Sequence, residues 1–274
     1  IHLKKRICFL FSSVGFFFSC ITPSASGGQP MQIYYMKKEK IPIPVSTVIL
    51  MIVTITYKFV LVAVGIGIAV FGRGFLHRYL EGILPVFYLG LALNIFCVTF
   101  MTVLVFHPLL ARTFLVKGLN ILEKMHLLRK KEGRLKKLED SMDVYHDTAE
   151  YLKEHPKVII NVIGITFVQR FALFTVTWFV YRAFSLSTTG FWTVVFLQAV
   201  ISVSVDMLPL PGGMGISETL FLTIFQPVFG NLLLPGMILS RGLGYYGELF
   251  ISAFFTVITQ LTIGQKGENK EIIK

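Results

Sequence analysis

Apolar residues in this chain gather in long blocks separated by short polar stretches. The blocks show neither the period of two of a half-buried strand nor the narrow stripe of a soluble surface helix. A helix that crosses a bilayer core of about 30 Å needs about 17 to 25 such residues. Pro44 to Phe71, Ile83 to Phe106 and Val158 to Tyr181 have that length, and so does Leu232 to Ile263, which also carries Arg241 and Glu248. Ile7 to Thr22 and Phe191 to Leu208 are shorter. Each runs into a Pro/Gly-rich break, TPSASGGQP at Thr22 to Pro30 and LPLPGGMGISE at Leu208 to Glu218. The pattern predicts an all-α integral membrane protein, a polytopic helical bundle interrupted at two places.

Charge sets the expected path. The longest polar stretch, residues 108–156, contains RKKEGRLKK at Arg129 to Lys137, and positive charge beside membrane segments favours the cytoplasm. Alternation then places Gly72 to Gly82 outside and Lys37, Lys38 and Lys40 inside, where the same rule puts them. Lys4, Lys5 and Arg6 also belong inside, so Ile7 to Met36 has both flanks on one side of the membrane. A re-entrant hairpin turning at Thr22 to Pro30 meets that condition. With Lys266, Lys270 and Lys274 inside as well, Phe191 to Phe229 becomes a second hairpin that enters from outside, with LPLPGGMGISE at its tip. Transporters with inverted repeats place their substrate at such opposed broken helices.

Residues 1–274 are expected to form one membrane domain, with residues 108–156 as a cytoplasmic helical insertion. Within it Leu135, Leu138, Met142, Tyr145, Ala149 and Leu152 recur at helical spacing, as do Ala111, Leu115, Leu119, Leu122 and Met125. Amphipathic helices resting on the anionic inner leaflet fit that stripe. So do a helical hairpin packed on itself and a contact between copies of the chain. The first residue is Ile1 and an apolar run follows almost at once, from which an N-terminal truncation is expected.

Composition agrees with a lipid environment. Of 274 residues 54% are hydrophobic and 15% charged, against about a quarter charged in soluble domains, and mean hydropathy is +0.70. The net charge of +11 does not indicate nucleic acid, because the basic residues concentrate in the loops. Cys8, Cys20 and Cys97 lack the spacing of a metal site or a disulfide framework, and the histidines show no ligand spacing. No phosphate-binding loop, catalytic elbow or cofactor motif is present. Neither metal nor cofactor is expected.

An ionisable side chain inside a membrane segment is costly, and such residues are candidates for function. Lys58 and Arg170 each sit midway along an apolar run. Arg241, Tyr245 and Glu248 share a helical face, while Asp206 and Glu218 flank the second break. The amides of Gly212, Gly213 and Gly215 have no side chain in front of them, so an anionic group such as a lipid phosphate can approach them at the start of a helix. Three outcomes stay open from the residues alone: binding of a lipid headgroup, ion pairs that hold helices together, and a helix break that needs glycine for a positive φ.

TPSASGGQPMQIYY at Thr22 to Tyr35, LPLPGGMGISE, and RGLGYY at Arg241 to Tyr246 resemble the lysylphosphatidylglycerol synthase transmembrane region family over about Ile7 to Ile263. Its members are flippase-like membrane domains. In longer members this part precedes a soluble domain that transfers lysine from lysyl-tRNA to phosphatidylglycerol, and the membrane part moves the lipid product outward, a route to cationic peptide resistance. The resemblance implies a site at Gly27, Gly28 and Gln29, at Pro211, Gly212, Gly213, Gly215 and Glu218, and at Arg241 with Tyr245. Lys58 and Arg170 join it as cations of the same polar interior. The implied partner is an anionic or aminoacylated phospholipid in the cell membrane, with a further copy of the chain or a separate transferase chain alongside. Only eleven residues follow Ile263, so lysyl transfer is not carried over, and the family's first membrane helices are expected to be missing.

Overall fold

The protein is described by a computed structural model covering residues 3–107, 110–113, 116–117, 134–208 and 210–264. Most of RKKEGRLKK, the stripe through Leu115, Leu119, Leu122 and Met125, Pro209, and Lys266, Lys270 and Lys274 lie outside the described residues. All regular structure among the described residues is helical.

Helices α1 (Lys5–Ile21) and α2 (Gly28–Lys38) flank a single 3-10 turn, Pro23–Ala25. Then follow α3 (Ile43–Phe71), the short α4 (Arg73–Leu80), α5 (Leu84–Phe106), α6 (Arg134–Glu154) and α7 (Pro156–Ala183). Helix α8 (Phe191–Val205) stops at a second 3-10 turn, Pro211–Gly213, and α9 (Ile216–Ile224) leads back. The last helical run comprises α10 (Leu233–Arg241), a π-helical turn Gly242–Tyr246, and α11 (Gly247–Thr259). Prolines open α3, α5 and α7, where the missing N–H has no partner to lose. Four stretches are long and apolar enough to cross a membrane: α3, α5, α7 and Gln226–Gly264. They correspond to the four long apolar blocks of the sequence.

The two interrupted segments fold as hairpins. At the first, Leu3 and Ile7 cluster with Tyr35, Met36, Ile41 and Ile263, so both ends of the α1–α2 hairpin lie at the lysine-rich end of the bundle. At the second, Phe191 packs edge-on to Trp178 with centroids 5.4 Å apart, and Phe229 packs edge-on to Tyr181 at 5.6 Å. Both ends of the α8–α9 hairpin therefore sit by the end of α7, opposite the lysines. The turns Pro23–Ala25 and Pro211–Gly213 touch. Two hairpins entering from opposite ends thus meet tip to tip.

Helix α8 is too short to span a bilayer but forms the centre of the bundle. Val194, Leu197, Ala199, Val200 and Val203 are all completely buried, among α3, α5, α7 and α9. Gly90 makes this packing possible, because a Cβ there would lie 2.5 Å from the Val203 carbonyl oxygen and 2.6 Å from Ser204 Cα. Asn94, one turn on, donates to Gly90 O at 2.9 Å and Val203 O at 3.3 Å. Gly90→Ala is therefore expected to push α5 off α8 at a cost of about 1–3 kcal/mol. The check is the melting temperature in detergent, which should fall.

Helix α6 differs from the membrane-surface reading. Met142, Tyr145 and Ala149 are buried against Val48, Ile52 and Val105 of α3 and α5, and the Tyr145 hydroxyl donates to Leu104 O at 3.2 Å. Burial pushes the Tyr145 hydroxyl above its usual pKa. The described part of the stripe thus packs on the chain's own bundle and not on lipid, and Ala111 of the other stripe joins the same cluster. The exposed side carries Asp140, Asp143, Asp147, Glu150 and Glu154 together with His146 and Lys153.

Candidate functional site

Two cavities, of about 820 Å³ and 430 Å³, with charged and polar side chains set in largely apolar walls, lie between the helices. Helices α1 and α7 and the final helical run give them the same order along the bundle axis. Helix α1 contributes Phe9, Ser12 and Ser13 to the larger cavity and Cys20 to the smaller; α7 contributes Thr166 and Gln169 to the larger, then Leu173, Val176 and Thr177 to the smaller. The final run goes the other way, with Ser240, Arg241 and Tyr245 on the smaller cavity and Ile251 and Ser252 on the larger. The larger cavity therefore faces the lysine-rich end and the smaller faces the opposite end. They are stacked on one axis, with Tyr57, Arg170, Asp206 and Glu248 in the wall common to both, together with Phe16, Ser19 and Ala25 of the first hairpin.

That wall is a knot of charge. Lys58 Nζ lies 2.6 Å from Asp206 Oδ2, with both side chains about 10% exposed (10% and 11%). The Tyr57 hydroxyl donates to the other Asp206 oxygen. The Arg170 guanidinium lies over the Tyr57 ring, 4.5 Å from its centroid. Its buried Nε has no hydrogen-bond partner among the described residues, and neither Arg170 nor Glu248 makes a direct ion pair among them. Lys58 and Asp206 neutralise one another at contact distance, while Arg170 and Glu248 line the same cavities, near enough to feel each other's charge but without a direct ion pair.

The second break is held by a different pair. Arg241 Nε donates to Glu218 Oε1 at 2.8 Å, and the Gly215 amide donates to Glu218 Oε2 at 2.7 Å. Glu218 thereby caps α9 from within its first turn, so a protein carboxylate occupies the place expected for a lipid phosphate at Gly215. Gly213 (φ 65°) and Gly215 (φ 85°) need the left-handed backbone that glycine adopts freely. The Arg241 guanidinium lies 4.6 Å from the Tyr245 ring centroid, and the Tyr245 hydroxyl donates to Cys20 O at 3.3 Å, tying the last run to the first hairpin. The π-helical turn between Arg241 and Glu248 adds a residue to this helix, yet Arg241, Tyr245 and Glu248 still line one cavity.

The residues singled out in the sequence thus divide. Arg241, Tyr245 and Gly213 line the smaller cavity, Gln29 and Lys58 the larger, and Arg170 both. Gln29 donates to Thr54 Oγ1 at 2.7 Å. Gly27 and Gly28 build the first break: the Gly27 amide donates to Thr22 Oγ1 at 2.9 Å, and a Cβ on Gly28 would lie 2.0 Å from Ser19 Oγ. Pro211 and Gly212 form the second turn, with Gly215 and Glu218 just beyond it. Tyr57 and Gln198 line the cavities without any signal that marks an isolated aromatic or amide in an apolar run; adjacency to Lys58 is the one hint for Tyr57.

Fold and site together define a polytopic helical membrane domain whose polar interior is split between two opposed broken hairpins. The chain matches the family described as "Lysylphosphatidylglycerol synthase TM region" over residues 1–252, and it belongs to that family. The match takes in all three motifs on which the resemblance was based. Comparison with curated proteins and with solved structures gave no match.

Proposed function

We propose that this chain is a membrane lipid translocase, flippase-like, which passes the headgroup of a phospholipid or aminoacyl-phospholipid between leaflets while the tails stay in the bilayer. The observation that carries the reading is that Arg170, whose Nε has no hydrogen-bond partner among the described residues, and Glu248 stand without a direct ion pair in the wall between two stacked cavities. Arg170 takes the phosphate by charge-assisted hydrogen bonds, and Glu248 takes a cationic group on the headgroup. The lysine-rich end faces the cytoplasm of the cell membrane by the positive-inside rule, and the smaller cavity faces out.

The test is reconstitution of the purified chain into vesicles carrying fluorescent phosphatidylglycerol or an amine-bearing phospholipid, with an impermeant quencher reporting exchange between leaflets. Exchange above protein-free vesicles is expected for wild type. Glu248→Gln should slow the amine-bearing lipid by about tenfold, the loss of one charged hydrogen bond, and affect phosphatidylglycerol less. Wild-type exchange no faster than that of empty vesicles would sink the proposal.

A further inference from the structure

We infer that the Tyr57 side chain is the septum between the two cavities and the positioning residue for Arg170. The inference takes from the translocase reading only what crosses; that a barrier stands at Tyr57 is a separate matter.

Tyr57 lines both cavities, and its neighbours hold it from two directions. Its hydroxyl is anchored on Asp206, just after the end of α8, and Lys58 of the same helix fixes Asp206 in turn at 2.6 Å. Its ring carries the Arg170 guanidinium of α7 at 4.5 Å. Three elements, α3, α7 and the second hairpin, are therefore joined through one aromatic ring. The ring is flat and rigid, and cation–π attraction holds Arg170 without using up its N–H groups. Arg170 keeps its donors for a ligand on either side. Shifting the ring would connect the cavities and carry the guanidinium with it.

Single cysteines on either side of the ring read the septum directly. Native Cys97 lines only the larger cavity, and Ser202 only the smaller. Cys8, exposed near the start of α1, marks the lysine-rich end. Each position is tested alone, the other cysteines replaced by serine, in vesicles given an impermeant cationic thiol reagent from one face at a time. With Tyr57 present, Cys97 should react from the lysine-rich face and Ser202→Cys from the opposite face. Tyr57→Ala should raise reaction of each from its far face at least tenfold, with Cys8 still reacting from its own face alone. Tyr57→Phe, which keeps the ring but loses the Asp206 anchor, should fall between, and Tyr57→Trp should restore the block.

Equal reaction of Cys97 from both faces with Tyr57 in place would overturn the septum, as would unchanged sidedness in both Tyr57→Ala and Tyr57→Phe. Sidedness that changes as expected in a chain that moves no lipid would leave the septum standing and remove the translocase. If Tyr57→Ala does not fold, the Tyr57→Phe and Tyr57→Trp pair still decides.

Discussion

Arg170→Ala is expected to slow lipid exchange by about 10- to 100-fold while lowering the melting temperature of the protein only slightly, by the loss of one cation–π contact. Arg170 is the cation in the shared wall whose charge no carboxylate at ion-pair distance balances, and its Nε is buried without an acceptor. Removing it breaks no direct ion pair, although Glu248 loses the cation that shares its cavities. On the translocase reading, what is lost is a charged hydrogen bond to the phosphate, worth about 1.5–3 kcal/mol, and each 1.4 kcal/mol is a factor of about ten. Arg170→Lys should recover only part of the rate, because a point charge replaces a planar fork that both stacks on Tyr57 and meets phosphate twice. Exchange assays alongside thermal melts check this. An Arg170→Ala chain that melts early and exchanges normally would reverse the assignment.

Lys58→Met should have the opposite profile, a large loss of stability. Lys58 and Asp206 are paired at 2.6 Å with side chains 10% and 11% exposed. Removing one partner of a buried pair leaves an unbalanced charge and costs about 3–5 kcal/mol. Replacing both partners by apolar residues is often close to neutral, so Lys58→Met with Asp206→Leu should recover most of that loss. The double variant loses the anchor for the Tyr57 hydroxyl as well, and its lipid exchange should stay perturbed although its fold returns. Chemical or thermal denaturation in detergent separates the single variant from the double one.

The course of the chain could be read from the sequence because lipid allows few solutions. Backbone polar groups must be satisfied within a helix, so apolar blocks of spanning length identified the long helices. Basic residues on both flanks of Ile7 to Met36 left a hairpin as the remaining path. The charges of the interior were also visible, since Lys58, Arg170, Arg241, Asp206, Glu218 and Glu248 are rare residues in apolar surroundings. Which of them neutralise one another was not visible. Lys58 meets Asp206, and Glu218 meets Arg241, across long stretches of chain, and only the folded arrangement shows that Arg170 and Glu248 stand without a direct ion pair among the described residues. Tyr57 stayed hidden for a simpler reason, because one tyrosine in an apolar helix reads as packing. The stripe on α6 was correctly periodic, but period alone does not say whether its partner is lipid or protein; the packing of Met142, Tyr145 and Ala149 in the folded bundle decides that.

The tip-to-tip meeting of the two hairpins has an electrical consequence. If water fills the cavities on either side of the proposed Tyr57 septum, it carries the potential of each side inward, and the membrane voltage falls over the thickness of that wall. Any net charge that crosses this wall works against nearly all of that voltage, about 2.3 kcal/mol per elementary charge for each 100 mV. A headgroup whose phosphate travels with a compensating amine crosses almost without electrical work, whereas a bare anionic headgroup is driven toward the positive side. An imposed potassium diffusion gradient across the vesicles would make that difference measurable.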